Sequence, residues 1–310
     1  MEDPQRPAGR TAEAKLHQGN IEKHDQPIWK AGRTWQMINL LITGGRFRPY
    51  GITNAQEHRL RINMGSLPQA SPFRVAIVKA YEIDEPKHRG MLQSFRDNVL
   101  QQVPDAIIDA YRPMKEDGHL PAPADYDLII ITGGLSNLCQ ATYEPWVDTT
   151  LEWIRQVVAQ QHITKTKLLG ICWGHQAIAT ALSGKVGSFE HPRVGVELLT
   201  LNDDGKALFG KEALKITKFH KRFVQNVPNG FKPLAPENEI LLSDSGLVLS
   251  LQGHPEIYGE LSRQLFDMNV PYYRATLPTE DDLQRYYSEM SSSEQDAKLI
   301  FHKVTEWAQS

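Results

Sequence analysis

Two short segments carry residue types that could do acyl chemistry. The first is Gly170-Ile171-Cys172-Trp173-Gly174-His175-Gln176, where glycines flank a cysteine between an apolar run and a helical pattern. Such spacing permits the tight strand-to-helix turn that exposes a nucleophile. It also sets the sulfur near a helix N-terminus, whose partial positive charge favours thiolate over thiol. The second is Gly253-His254-Pro255-Glu256, at the end of another apolar run. A thiol nucleophile needs a base, and imidazole titrates near neutrality. Among 11 histidines, His254 stands at the strand end where α/β sheets place their sites. Glu256 can orient its ring, as the third member of a triad does. Cys172, His254 and Glu256 are therefore the candidate catalytic residues. His175 leaves the turn on the helix and supports the turn; Cys139 has no elbow around it and reads as structural.

Positioning these groups requires a sheet. From Arg74 onward, short apolar runs alternate with amphipathic ones, the rhythm of βα units around a parallel sheet. Strands are expected at Val75–Val78, Ala106–Ile108, Asp127–Ile131 and Leu168–Ile171, the third ending in the turn Thr132-Gly133-Gly134. Helices are expected over 88–102, 145–161 and 177–182, the last stopped by Gly184. Strand candidates follow at 194–201, 214–219, 239–243 and 246–252, with Asn202-Asp203-Asp204-Gly205 as a polar turn. Helix resumes after 257, and Glu280-Asp281-Asp282 reads as a solvated turn or helix start. The fold class is α/β, a mostly parallel central sheet flanked by helices with a C-terminal helical extension.

These motifs resemble the class I glutamine amidotransferase family, which includes the glutaminase domain of GMP synthetase. The resemblance covers about residues 74–270 and implies the flavodoxin-like class I glutaminase fold. It implies that Cys172 attacks a γ-carboxamide to give a γ-glutamyl thioester, that His254 moves the proton and that Glu256 orients it. It further implies that Gln176 contacts the glutamyl substrate and that backbone N–H groups of Gly134 and Trp173 form the oxyanion hole. Leu135 stands where the family often carries proline. The segment Phe219-His220-Lys221-Arg222-Phe223-Val224 resembles a substrate-side stretch of the family, with Lys and Arg in place of small and acidic residues. His220 is thereby a further substrate-binding candidate.

Composition bounds the function. The 310 residues divide into an expected N-terminal extension (1–70, its first 28 residues too polar to order themselves), an amidotransferase-like domain (71–275) and a helical C-terminal part (276–310). Basic and acidic residues number 34 and 37, a formal charge of -3, so neither nucleic acid nor a membrane surface is an expected partner. Two cysteines make no disulfide framework and fit a reducing, cytoplasmic setting. No zinc spacing occurs, and neither metal nor other cofactor is expected. Three functions fit: hydrolysis of a γ-glutamyl amide or peptide, favoured because the sequence holds no P-loop or synthetase domain; a glutaminase subunit delivering ammonia to a synthetase partner; and a non-catalytic binding protein of the same fold.

Overall fold

The computed structural model describes residues 71–81, 86–116 and 118–310. The expected N-terminal extension lies outside the described residues. The first element among the described residues is β1 (Arg74–Ala80), whose Val75, Ala76, Ile77 and Val78 are fully buried, as a strand covered on both faces must be. Next come α1 (Pro86–Gln102), β2 (Ile107–Tyr111), β3 (Leu128–Gly134), α2 (Pro145–Thr164), β4 (Lys167–Ile171) and α3 (Trp173–Ala181). A hairpin of β5 (Lys185–Thr200) and β6 (Ala213–Asn226) follows, its strands joined across α4 (Asp203–Phe209). The chain continues through β7 (Phe231–Pro233), β8 (Ile240–Ser243), β9 (Val248–Leu251), α5 (Gly259–Asp267), α6 (Val270–Tyr273), α7 (Glu280–Glu289) and α8 (Glu294–Ala308).

The main sheet has seven strands in the order β2-β1-β3-β4-β9-β8-β7. Every pair from β2 to β9 is parallel; β9–β8 and β8–β7 are antiparallel. This is the mostly parallel, helix-flanked sheet expected from the sequence. Two apolar clusters cover its faces. One joins Val75, Ile77, Leu128 and Leu249 to Phe95 of α1 and to Ile300, Phe301, Val304 and Trp307 of α8. The other packs Ile129, Ile131 and Leu168 against Val147, Leu151 and Ile154 of α2 and Ala177 and Ile178 of α3.

Several local expectations are corrected. The third helix starts at Trp173, directly after Cys172, four residues earlier than the apolar pattern suggests. Gly184 does not supply its left-handed stop: Ser183 takes that conformation, with φ 70°. Gly184 is instead a close approach, since a Cβ there would lie 2.7 Å from the Asn226 carbonyl oxygen. The polar turn at Asn202–Gly205 is the start of α4, where the Asn202 side chain accepts a hydrogen bond from the Gly205 N–H at 3.0 Å. An Asn-Asp-Asp-Gly string suits a turn and an N-cap alike, because both use the side-chain oxygen to satisfy nearby N–H groups. Strand β5 begins nine residues before the expected 194, with its pairing interrupted between Ser188 and Arg193. Pro192 lies in that interruption, where a missing N–H does no harm. The acidic triplet Glu280–Asp282, by contrast, opens α7 as one of its two expected settings, with Thr279 and Asp282 in a reciprocal capping box.

Candidate active site

Strand β4 ends at Ile171 and α3 begins at Trp173, so Cys172 alone turns the chain. It does so with φ 50° and ψ −98°, a conformation that L residues rarely adopt. The sequence locates the elbow but assigns its mechanics to the wrong residues: neither Gly170 nor Gly174 has a positive φ. Gly174 is required by proximity. A Cβ there would lie 2.3 Å from the Ile131 carbonyl oxygen, so the first turn of α3 can sit this close to β3 only without a side chain. The Cys172 N–H is held by the Leu251 carbonyl at 2.8 Å, which fixes the elbow to β9. Cys172 is 6% exposed.

His254 follows β9 and is carried toward Cys172 by a second anchor, its N–H donating to the Thr217 carbonyl of β6 at 2.8 Å. Its Nδ1–H donates to Glu256 Oε1 at 2.7 Å, which leaves Nε2 as the ring nitrogen that serves the Cys172 sulfur. Glu256 is fully buried, and its backbone carbonyl accepts from Ser94 Oγ of α1 at 2.6 Å. Gly133, at the end of β3, faces both groups: a Cβ there would stand 2.7 Å from His254 Cε1 and 3.6 Å from Cys172 Cβ. Burial on its own would depress the imidazole. The Glu256 carboxylate and the Cys172 sulfur, through charge and hydrogen bonds, outweigh it and raise His254 from an ordinary 6.5 to about 10. Cysteine, histidine and carboxylate thus form one hydrogen-bonded line that favours an imidazolium beside the sulfur.

N–H groups in the first turn of a helix have no partner within it; in α3 the first to find one is that of Gln176, at the Cys172 carbonyl, 3.1 Å away. The Trp173 N–H therefore projects from the helix end beside Cys172. Gly134 lines the cavity that opens at Cys172.

Two cavities, each of about 280 Å³, meet at Cys172 and share Gly134, Leu135, Phe219, Asn269 and Tyr273. One is bordered by Gln176, His220, Lys221 and Arg222. Gln176 is held in place there, its Nε2 donating to the Arg222 carbonyl at 2.9 Å and to Gln252 Oε1 at 3.1 Å, which leaves its own oxygen as an acceptor. His220 Nδ1 bonds the Arg222 carbonyl at 2.9 Å, and burial together with Lys218 pushes this ring down to about 3. It is neutral at ordinary pH. Arg222 donates to the Leu135 carbonyl at 3.3 Å and so ties the β3 loop to β6, while the Leu135 side chain is 76% exposed. The other cavity contains His254 and is walled by Met91, Phe219, Ile257, Leu265, Met268 and Tyr273.

Every sequence-derived candidate, Cys172, His254, Glu256, Gly134, Trp173, Gln176 and His220, lies in or against this site. His175 points elsewhere: fully buried, it bonds Ser250 Oγ at 2.8 Å and is pushed down to about 3 by burial and Lys218. Cys139 is exposed and lies outside the site, its sulfur 3.6 Å from the Val186 carbonyl oxygen. Sequence reasoning missed Ser94, Gly133 and the apolar wall. Gly133 was visible as half of a diglycine; nothing around Ser94, Met268 or Tyr273 marks them as part of a site. Among the described residues no cluster of ligands that could hold a metal ion occurs, and no helix is long and apolar enough to cross a membrane.

Comparison with known proteins shows the family and the fold. A profile of the family described as "Glutamine amidotransferase class-I" matches residues 94–269. A glutamine amidotransferase-like protein of Gibberella zeae is 36% identical over 237 residues, 76% of this chain and 95% of its own length. A protein named gamma-glutamyl peptidase 2, of Arabidopsis thaliana, is 29% identical over 162 residues, 49% of this chain and 63% of its own. The crystal structure of a glutamine amidotransferase from Thermotoga maritima superposes with a TM-score of 0.60 at 18% identity, over 77% of this chain and 99% of that one, a likeness of fold.

Proposed function

The chain belongs to the class I glutamine amidotransferase family, and we propose that it hydrolyses a γ-glutamyl amide or peptide bond through a thioester on Cys172. The observation that carries this reading is the buried line from Cys172 through His254 to Glu256, set on a strained elbow at the mouth of two cavities.

In the first half of the reaction, the Cys172 sulfur attacks the γ-carbonyl carbon and its proton resides on His254 Nε2. Glu256 stabilises the resulting imidazolium and fixes Nδ1 as the donor to itself. The oxyanion points at the Trp173 and Gly134 N–H groups, where each donor is worth about 3–4 kcal/mol of barrier in comparable acyl transfer. His254 then passes its proton to the departing nitrogen, the carbon–nitrogen bond breaks, and the γ-glutamyl group stays on sulfur. In the second half, water gives a proton to His254 and its oxygen attacks the thioester. Glutamate leaves and the thiol is restored. No step calls for a metal or cofactor. Lys221 and Arg222 give the cavity beside Gln176 a cationic border suited to the α-carboxylate of the γ-glutamyl group, and the Gln176 oxygen suits its α-ammonium.

The test is glutamate release, followed by mass spectrometry, from glutamine, glutathione and other γ-glutamyl amides. Wild type should release glutamate from at least one of them, and Cys172→Ala should stay at background for all. Equal release by both proteins refutes the reading.

A further inference from the structure

The two cavities that meet at Cys172 differ in chemistry, and the difference says which half of a substrate each receives. In the reaction proposed above, on which this inference rests, His254 must protonate the departing nitrogen, so the leaving amine lies on the His254 side. His254 borders only one of the two cavities. That cavity is walled by Met91, Phe219, Ile257, Leu265, Met268 and Tyr273, with Asn269 as a polar neighbour. The cavity holding Gln176, Lys221 and Arg222 also opens at the sulfur, is not bordered by His254, and takes the amino-acid end.

Glutamine makes a poor match for the apolar side. Its leaving group is ammonia, the size of a water molecule, which occupies ~30 Å³ in the liquid. The cavity measures about 280 Å³. Its walls are built rather than incidental. The Phe219 ring stands 6.4 Å from His254 and 5.6 Å from Tyr273, both edge to face, and Tyr273 stacks on Phe266 at 5.5 Å. Burial raises the Tyr273 phenol well above its ordinary value, the mark of an apolar setting. Among the described residues lining this cavity, none is a lysine or arginine that could meet the carboxylate of a departing amino acid. A pocket of this kind gains affinity from apolar area and loses it for every unpaired charge placed inside it.

We propose that the substrate is a γ-glutamyl amide of an uncharged, apolar amine of about the size of an aromatic ring with a short linker, and that Met91, Ile257, Leu265 and Met268, which line this cavity and not the other, form its leaving-group pocket, with Phe219 and Tyr273 as the walls shared between the two. Loss of even one buried methylene changes kcat/KM by about ten to two hundredfold in such pockets.

The experiment measures kcat/KM of the full chain for glutamine, γ-glutamylglycine, γ-glutamylphenylalanine and γ-glutamylphenethylamide. In parallel it labels Cys172 with a chloroketone analogue of glutamine, which carries the amino-acid end without the amine. The phenethylamide should exceed glutamine and γ-glutamylglycine by about tenfold or more and should also exceed γ-glutamylphenylalanine. Met268→Glu, at a partly exposed position, should lower the phenethylamide rate more than the glutamine rate while chloroketone labelling persists. Labelling of Cys172 with glutamine or γ-glutamylglycine turned over as fast as the phenethylamide overturns the leaving-group assignment and leaves the γ-glutamyl reading standing. Absence of both labelling and turnover overturns the two together.

Discussion

The strain at Cys172 makes an unusual forecast. A residue other than glycine at φ 50° and ψ −98° stores backbone energy of about 1–3 kcal/mol. Cys172→Gly should therefore be more stable to urea than Cys172→Ala by about 1 kcal/mol, reversing the usual order, in which glycine costs stability through the unfolded chain. Alanine as the more stable of the two would mean that the elbow is relaxed. Gly133 offers a second test. A methyl there must displace the His254 ring from 2.7 Å, so Gly133→Ala should lower kcat/KM by ~10²-fold, the usual cost of a misplacement near 1 Å, with circular dichroism unchanged. At this scale the sequence was most legible where chemistry restricts residue type: a cysteine between glycines, and a histidine two residues from a carboxylate. It was least legible where the requirement is room, as at Gly133, or a single anchoring hydroxyl, as at Ser94. Room and anchoring are set by elements distant in sequence.

Elements are positioned by contacts that the pattern of apolar residues does not encode. Strand β6 supports His254 through Thr217, and the next residue, Lys218, is fully buried in an ion pair with Glu239. Arg193 of β5 reaches the same carboxylate at 3.4 Å and Glu237 at 2.5 Å, so this network clamps the hairpin to the entry of β8. Removing one partner of a buried pair leaves an uncompensated charge and costs about 3–5 kcal/mol. Glu239→Gln should lose that much in denaturant unfolding, and Lys218→Met combined with Glu239→Leu should recover most of it. If the single and double variants were equally stable, the network would not be clamping the hairpin. Parallel strands β1, β3 and β4 were readable because burial on both faces leaves continuous apolar runs. The hairpin was only half readable, because β5 is polar and broken near Pro192, and its stability comes from pairing and charge instead of apolar period.

At the scale of the whole molecule, Ala70–Ser310 form one compact unit in which α8 completes the core over β1, β3 and β9. The buried line at the site then leaves a signature on overall stability. His254 binds its proton more tightly in the folded state, about 10 against 6.5, so its contribution to stability is full below about pH 6.5 and is lost as pH rises through about 10. The difference in unfolding free energy between wild type and His254→Asn should narrow steadily across that interval. A constant difference would place the imidazole outside any charged pair. The class of fold and the family were legible in the sequence; the order of the strands in the sheet was not. The division of the cavity into a cationic and an apolar half was not, because its walls come from α1, β6, α5 and α6 together.

The central claim is a γ-glutamyl group carried on one sulfur. Acid quenching of the protein during turnover of a γ-glutamyl amide, followed by intact mass and peptide mapping, tests it most directly. The expected result is a mass increase of one γ-glutamyl group, placed on the peptide containing Cys172, released by hydroxylamine and absent in Cys172→Ala. Steady glutamate release by the wild-type protein with no adduct on Cys172 under any quench, and undiminished release by Cys172→Ala, would contradict it.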